Sequence, residues 1–208
     1  MGLPKFDMSE RAIVRRVDRN GSQRTFDAPF FKKVREGERL QFDAHVNVEL
    51  IPDADYLKRA TLFSNVPNGG TWEFVSDEGT AIGGNGLAPS PLMYLTVGIG
   101  FCLMSHVEII SKQLDIRLDR VVLEQKTSYS TTWTLGAMHP RDIFGSGEKN
   151  EMHLVIDSPE PKERLEEFTS WVQQACMALQ TVARETPSVT ELYLNGERIG
   201  EVGQRAPA

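Results

Sequence analysis

The stretch PLMYLTVGIGFCLMSHVEIISKQL, residues 91–114, decides how the rest of the chain is read. It opens on Pro91, whose missing N–H costs nothing in the first turn of a helix. Ser90, just before it, is a suitable cap. Apolar residues go all the way round the expected helix, which predicts a position central to the fold rather than on its surface. Gly98 and Gly100 each lower helix propensity by about 1 kcal/mol, so close packing is expected to compensate. No charged residue occurs from Gly79 to Ser105. The front of that run, GTAIGGNGLAPSPL, is rich in Gly and Pro, and the apolar run 92–104 is shorter than the roughly 20 residues a membrane span requires. The expectation is a buried core helix behind a turn, with no membrane partner.

This helix carries Cys102, one of two cysteines in the chain. A cysteine among Ile, Phe, Leu and Met is usually inert packing. Here Gly98 lies one turn before it and His106 one turn after, on the same face. Gly98 would leave the sulfur uncovered, as a small-substrate pocket requires; alternatively Gly98 and Gly100 admit a second backbone. A charged His106 would favour the thiolate. One Cys and one His are too few for a zinc site, and neither His139 nor His153 has a spacing that completes one, so no metal is expected.

The second cysteine falls in a second predicted helix, 158–186, where Leu165, Phe168, Val172, Cys176, Leu179 and Ala183 form an apolar stripe. Ser158 and Pro159 mark its start and Thr186–Pro187 its end. If both helices pack on one sheet they pack on each other, and Cys102 and Cys176 either face across that contact or never meet. A disulfide requires their Cα atoms within about 7 Å.

The flanking segments read mostly as strands. In 39–51 Leu40, Phe42, Ala44, Val46, Val48 and Leu50 alternate with polar residues, a half-buried strand. Residues 56–66 are ambiguous, and 68–79 reads as a turn, a short strand and a turn. Residues 117–135 make one long strand, bent or straight, 136–150 a connection, and 151–158 the returning strand. VTELYLNGE, 189–197, is a last strand with an Asn-Gly turn. The class is α+β, an antiparallel sheet packed with two long helices. The expected organisation is an N-terminal arm over 1–36, a domain over 37–200 and a flexible tail over 201–208.

Composition narrows function further. The chain has 208 residues, is 40% hydrophobic and 25% charged, and carries a net charge of −6. That is ordinary for one soluble domain and argues against nucleic acid as a partner. The basic residues of the front segment are interleaved with acidic ones. MGLPKFDMSERAIVRR contains no apolar signal-peptide core, so a cytoplasmic location with reduced thiols is expected. GTAIGGNG lacks the Lys-Ser/Thr ending of a phosphate loop, and neither G-x-S-x-G nor H-E-x-x-H occurs. Asp77–Glu78 reads as a turn before the glycines. No cofactor is expected.

Taken together, SDEGTAIGGNGLAPSPLMYLTVGIGFC (76–102) and FTSWVQQACMAL (168–179) resemble the OsmC/Ohr family of thiol-dependent hydroperoxide reductases. The resemblance spans roughly residues 40–197. It implies the OsmC-like fold, an antiparallel sheet around two central helices, intertwined in a homodimer with active sites at the subunit interface. It also implies a mechanism. Cys102 thiolate attacks a small hydrophobic hydroperoxide and becomes a sulfenic acid. Cys176 condenses with it to a disulfide, and a lipoyl-type dithiol reduces that bond. Three positions depart from the family pattern. Ser90 stands where active members carry a Glu, and Met177 follows Cys176 where a Pro is usual. No single Arg aligns as the activating one: Arg24, Arg35, Arg39 and Arg59 are all candidates. Two other readings stay open, a ligand-binding module on the same scaffold and a thiol hydrolase using Cys102 and His106.

Overall fold

A computed structural model describes residues 13–17, 42–64, 66, 69–132, 143–184 and 186–202. Arg24, Arg35, Arg39 and His139 lie outside these residues, as does most of the expected arm. The chain is mixed α/β, with antiparallel sheets and three α-helices among the described residues. It divides into two compact units, residues 1–95 with 134–137 and residues 96–133 with 138–208.

In the first unit, β1 (Val14–Arg16), β2 (Ala44–Leu50), β3 (Lys58–Ser64) and β4 (Thr71–Ser76) form one antiparallel sheet in the order β1-β4-β3-β2. The ambiguous 56–66 segment thus becomes an interior strand. β1 comes from the segment expected as an arm, and Arg15 holds it there: its Nε donates to Oε1 of Glu73 at 2.8 Å, and Glu73 is only 3% exposed. β2 alternates as expected, but its apolar face is not half-buried. Val46, Val48 and Leu50 are exposed, Leu50 by 73%, because alternation sets them on one face of the pleat and that face is left uncovered among the described residues.

The glycine-rich segment after β4 folds around a carboxylate. Asp77 is fully buried, and its oxygens accept backbone N–H groups from Glu78 (2.7 Å), Leu87 (3.0 Å) and Asn85 (3.2 Å). Gly84 makes the wrap possible, since a Cβ there would lie 2.1 Å from the Glu78 carbonyl oxygen. The amides that a phosphate loop would turn toward an anion are thus spent on the chain's own anion. Pro89 accepts from the Ser76 hydroxyl at 3.0 Å and from the Asp77 N–H at 3.4 Å, fixing the approach to the long helix.

That helix, α1, runs Pro91–Gln113, as its sequence predicts. The Ser90 carbonyl accepts from the N–H groups of Met93 and Tyr94. Tyr94 ties the first turn to β4: its hydroxyl donates to the Val75 carbonyl at 2.6 Å and its ring meets Phe74 edge-on at 6.0 Å. The expectation of all-round burial is corrected. α1 buries a single ridge at four-residue spacing, Ile99, Leu103, Val107 and Ser111, while Met93 and Phe101 are 61% and 71% exposed. Apolar character on every side therefore did not mean a neighbour on every side within one chain. By length and composition α1 would also suffice to cross a membrane.

In the second unit, β5 (Arg120–Thr131) and β6 (Gly145–Asp157) form a long antiparallel pair whose register shifts between Ser128 and Tyr129. The expected connection is shorter than its composition implied, because GSGEKN, 145–150, already pairs with 127–131. The strand-forming TSYST of β5 supplies the ladder that this Gly-rich segment would not form alone. The core combines Leu103 and Val107 of α1 with Ile116, Phe168, Val172 and Cys176, against a border that includes Val121, Leu123, Leu154 and Ile156.

The second predicted helix is two: α2 (Lys162–Ala175) and α3 (Met177–Ala183), interrupted at Cys176, whose backbone is extended (φ −70°, ψ 99°). β7 (Thr190–Leu194) and β8 (Glu197–Val202) close on Asn195–Gly196, both at positive φ (52° and 89°), the two-residue turn that Asn-Gly favours. β8 takes in Glu201 and Val202 of the expected tail.

Candidate active site

Cys102, His106 and Cys176 all belong to the second unit, and the structure brings them together: one ligand-type atom from each, with both sulfurs among them, lies within 4.8 Å of the others. Both cysteines are free thiols. Their exposures differ in a way that matters chemically, since Cys102 is half-buried while Cys176 is sealed at 0%. Of the alternatives the spacing left open, facing thiols is the one realised.

Cys102 sits mid-helix on α1, fixed by the regular backbone. Cys176 sits where the helix pattern breaks. Its N–H still donates to the Val172 carbonyl (3.1 Å) and its carbonyl still accepts from Gln180 (2.9 Å), so it ends α2 and starts α3 without leaving the core. A proline after this cysteine would push it out of the helical region by steric clash. Here Met177 follows, and Cys176 is extended nonetheless. The break therefore does not depend on a proline, and the departure from Pro does not restore a continuous helix.

Burial pushes the Cys176 thiol up from its ordinary value, and the neighbouring Cys102 pushes it the same way. The N–H groups of Leu179 and Ala178 pull in the opposite sense, but neither completes a cap hydrogen bond to the sulfur, and the net direction is upward. Cys176 is a protonated thiol at neutral pH.

His106 Nδ1 lies 2.8 Å from the Cys102 carbonyl oxygen and 3.9 Å from Cys102 Sγ. A carbonyl only accepts, so Nδ1 carries the proton and donates it to that oxygen. In this arrangement no Nδ1 lone pair is turned to Cys102, which removes the base that a Cys–His hydrolase requires.

The other expected site residues are placed as follows. A methyl on Gly98 would meet nothing within 4 Å, so that side of α1 is open, whereas a methyl on Gly100 would meet Gln125 Oε1 at 3.0 Å and Leu123 at 3.5 Å. The close approach thus belongs to Gly100 and is made by side chains of β5. Ser90 starts α1 through its carbonyl. Arg59 is engaged by Glu49, its Nε donating at 2.8 Å. His153 is exposed on β6, opposite Glu124. An open groove of about 520 Å³ runs beside α1 and is lined by Phe101, Met104, Ser105, Glu108, Leu118 and Val121 among others, without either cysteine.

The polar strip beside this site escaped the sequence reading. Gln125 and Thr127 both donate to Asn150 Oδ1 (3.2 and 3.0 Å), and Tyr129 pairs its hydroxyl with that of Thr96 at 3.2 Å. The signal lay in the period of β5: Val121, Leu123, Gln125, Thr127 and Tyr129 share one face, which changes from apolar to polar at Gln125. Asp77 and Gly84 were also passed over, because a buried acid in a glycine-rich turn is indistinguishable from an exposed one until the turn closes.

Comparison with known proteins gives the family. Residues 83–191, just over half of the chain, match the family described as OsmC-like protein. No curated protein matches the chain. Among solved structures, an OsmC-like hydroperoxide resistance protein from Jannaschia sp. CCS1 is similar at 16% identity and a TM-score of 0.48, over 76% of this chain and 95% of that one. An OsmC-like protein from Mycoplasma pneumoniae is similar at 17% identity and a TM-score of 0.48, over 68% and 87%. An organic hydroperoxide resistance protein OsmC from Legionella pneumophila is similar at 13% identity and a TM-score of 0.46, over 68% and 88%. The family match contains both cysteines, His106 and the whole of α1, α2 and α3, and on it the chain belongs to the OsmC-like protein family.

Proposed function

We propose that this protein is a thiol-dependent reductase of small hydrophobic organic hydroperoxides, with Cys102 as the peroxidatic and Cys176 as the resolving cysteine. The observation that carries this reading is the pair of free thiols within 4.8 Å, one half-exposed and one sealed. Substrate reaches only the first, and the second is held protonated beside it.

In the reaction, Cys102 thiolate attacks the distal oxygen of ROOH. The O–O bond breaks, RO⁻ takes a proton and leaves as alcohol, and Cys102 becomes a sulfenic acid. Cys176 then attacks that sulfur and gives up its proton as hydroxide departs, so water forms with the disulfide. An external dithiol of lipoyl type returns both thiols by exchange. Disulfide closure requires the sulfurs to approach to about 2.05 Å, and the interrupted backbone at Cys176 gives that side latitude which a continuous helix lacks. No cofactor takes part.

The same reading takes the protein as a cytoplasmic homodimer with no membrane or nucleic-acid partner. The exposed apolar residues of α1 and β2 support a second copy, whose burial of α1 would make the helix central in the assembly. Mass measurement after one equivalent of cumene hydroperoxide tests the chemistry. An intramolecular disulfide, about 2 Da lighter for two hydrogens lost, is expected in the wild type and absent in Cys102→Ser. Equal, slow consumption of peroxide by both would end the proposal. The apolar groove beside α1 favours a second reading, a module that binds a hydrophobic ligand. It predicts an unchanged free-thiol titre in the same experiment.

A further inference from the structure

We propose that the reduced site is also a metal site, in which Cys102, Cys176 and His106 bind a single zinc-type divalent cation. Helical spacing alone joins only Cys102 and His106; the fold adds Cys176 as the third ligand. Two thiolates and an imidazole are the donor set that borderline-soft cations select over carboxylate or water sites, and three protein ligands leave a fourth position open.

The geometry needs little adjustment. Tetrahedral bonds of about 2.3 Å to sulfur and about 2.0–2.1 Å to nitrogen place ligand atoms roughly 3.5–3.8 Å apart. Cys102 Sγ and His106 Nδ1 are already 3.9 Å apart, and the whole set lies within 4.8 Å. Contraction by about an ångström, within the reach of side-chain rotation, completes the site. Cys102 and His106 are one turn apart on α1 and approach as a pair. The Nδ1–H of His106 donates to the Cys102 carbonyl at 2.8 Å. To ligate through Nδ1, the atom that already faces Cys102 Sγ, the ring gives up this bond and carries its proton on Nε2, a change that goes with the proton release of metal binding. The surroundings are apolar and partly closed, with Leu103, Phe168 and Val172 in the same cluster, so few waters compete for the cation.

Binding displaces the thiol protons, and the two sulfurs cannot both hold the cation and be bonded to each other. Metal and disulfide are therefore mutually exclusive states. This second step rests on the peroxidase reading: one ROOH and two protons convert the bound dithiolate to disulfide, alcohol and water, and the cation leaves. The site itself stands without that reading.

Cobalt(II) and zinc(II) are the probes, added to the full, reduced, metal-free chain. One equivalent of cobalt is expected to give the intense visible bands of a tetrahedral ion with thiolate-to-cobalt charge transfer, and zinc should displace it. His106→Gln should weaken zinc binding by roughly 100-fold or more, since even outer-shell changes cost about 10–100-fold. Cys102→Ser should lose about half of the charge-transfer intensity, one of two thiolates being gone. A pale, octahedral cobalt spectrum, or equal zinc affinity in wild type and both variants, overturns the metal site. Peroxide-driven disulfide formation in the metal-free chain is read separately. Tight zinc binding without it would sink the peroxidase and leave the metal site standing; the reverse result would do the opposite.

Discussion

Asp77 in the first unit and Cys176 in the second are both acids with no exposed surface, yet the protein holds them in opposite protonation states. Burial is the first cause acting on each, and it raises both. For Asp77 three backbone N–H groups and the nearby Lys58 outweigh it, and the carboxyl titrates below its usual range. For Cys176 the two nearby N–H groups do not outweigh it, and Cys102 adds to it. The lesson is that burial alone does not set charge; the count and geometry of donors do. Asp77 is an anion around which a loop is built and from which nothing moves. Cys176 is a neutral thiol sealed beside a second sulfur.

The largest expected effect breaks the Asp77 side. Gly84→Ala puts a methyl group 2.1 Å from the Glu78 carbonyl oxygen, and the obstacle is backbone, not a side chain that can swing away. The loop must reopen, so chemical denaturation should show a loss of about 3 kcal/mol or more. A variant as stable as wild type would mean that the wrap around Asp77 is loose.

A smaller effect tests the charge itself. Asp77→Asn keeps the shape but sets an amide NH₂ against N–H donors, and should cost about 2–3 kcal/mol near neutral pH. The pH dependence has a definite sign. A carboxyl whose folded pKa lies below its unfolded value of about 3.9 contributes stability that is complete above that pH. It is lost as pH falls through the folded pKa. Wild type should therefore lose stability on acidification below about pH 4, and the wild-type-minus-variant difference should shrink over the same range. A difference constant down to pH 2 would show that Asp77 is not held ionised.

How much of this was legible beforehand follows the range of the forces involved. α1 was read to within a residue because its signals are local: a proline start, a capping position and sustained apolar character. The Asn195–Gly196 hairpin was legible for the same reason, since two positive-φ residues admit few other uses. The break at Cys176 was not legible. Nothing in QQACMAL disfavours a helix, so the extended residue has no local signal. The faces of α1 and β2 are more exposed than their patterns imply because periodicity reports which residues seek burial, not whether the fold covers them. At the site, sequence placed Cys102 and His106 together by helical spacing, while the arrival of Cys176 depended on tertiary packing. Asp77 was dismissed as a turn residue because the donors that make it a structural anion lie one, eight and ten positions away.

The smallest effect is on the thiol side, and it is the one that would sharpen the contrast most. A thiol whose folded pKa is raised stabilises the fold fully below its unfolded value of about 8.5, and that contribution is lost as pH rises through the folded pKa. Unfolding measured in a reductant from pH 7 to pH 10 should therefore show wild type losing at most about 1.4 kcal/mol per pH unit to this one group. Cys176→Ala removes the ionisation while leaving Tyr94, also raised by burial, to titrate as before. The difference between the two proteins should thus be flat below about pH 8 and narrow above it. Cys102→Ala tests the second cause, since removing the neighbour that adds to the shift should lessen the narrowing while burial still sustains it. A Cys176→Ala difference that stays level to pH 10 would mean the thiol already ionises as freely in the fold as outside it. In that case Cys176, not only Cys102, would stand ready as a nucleophile, and the division of roles between the two sulfurs would have to be redrawn.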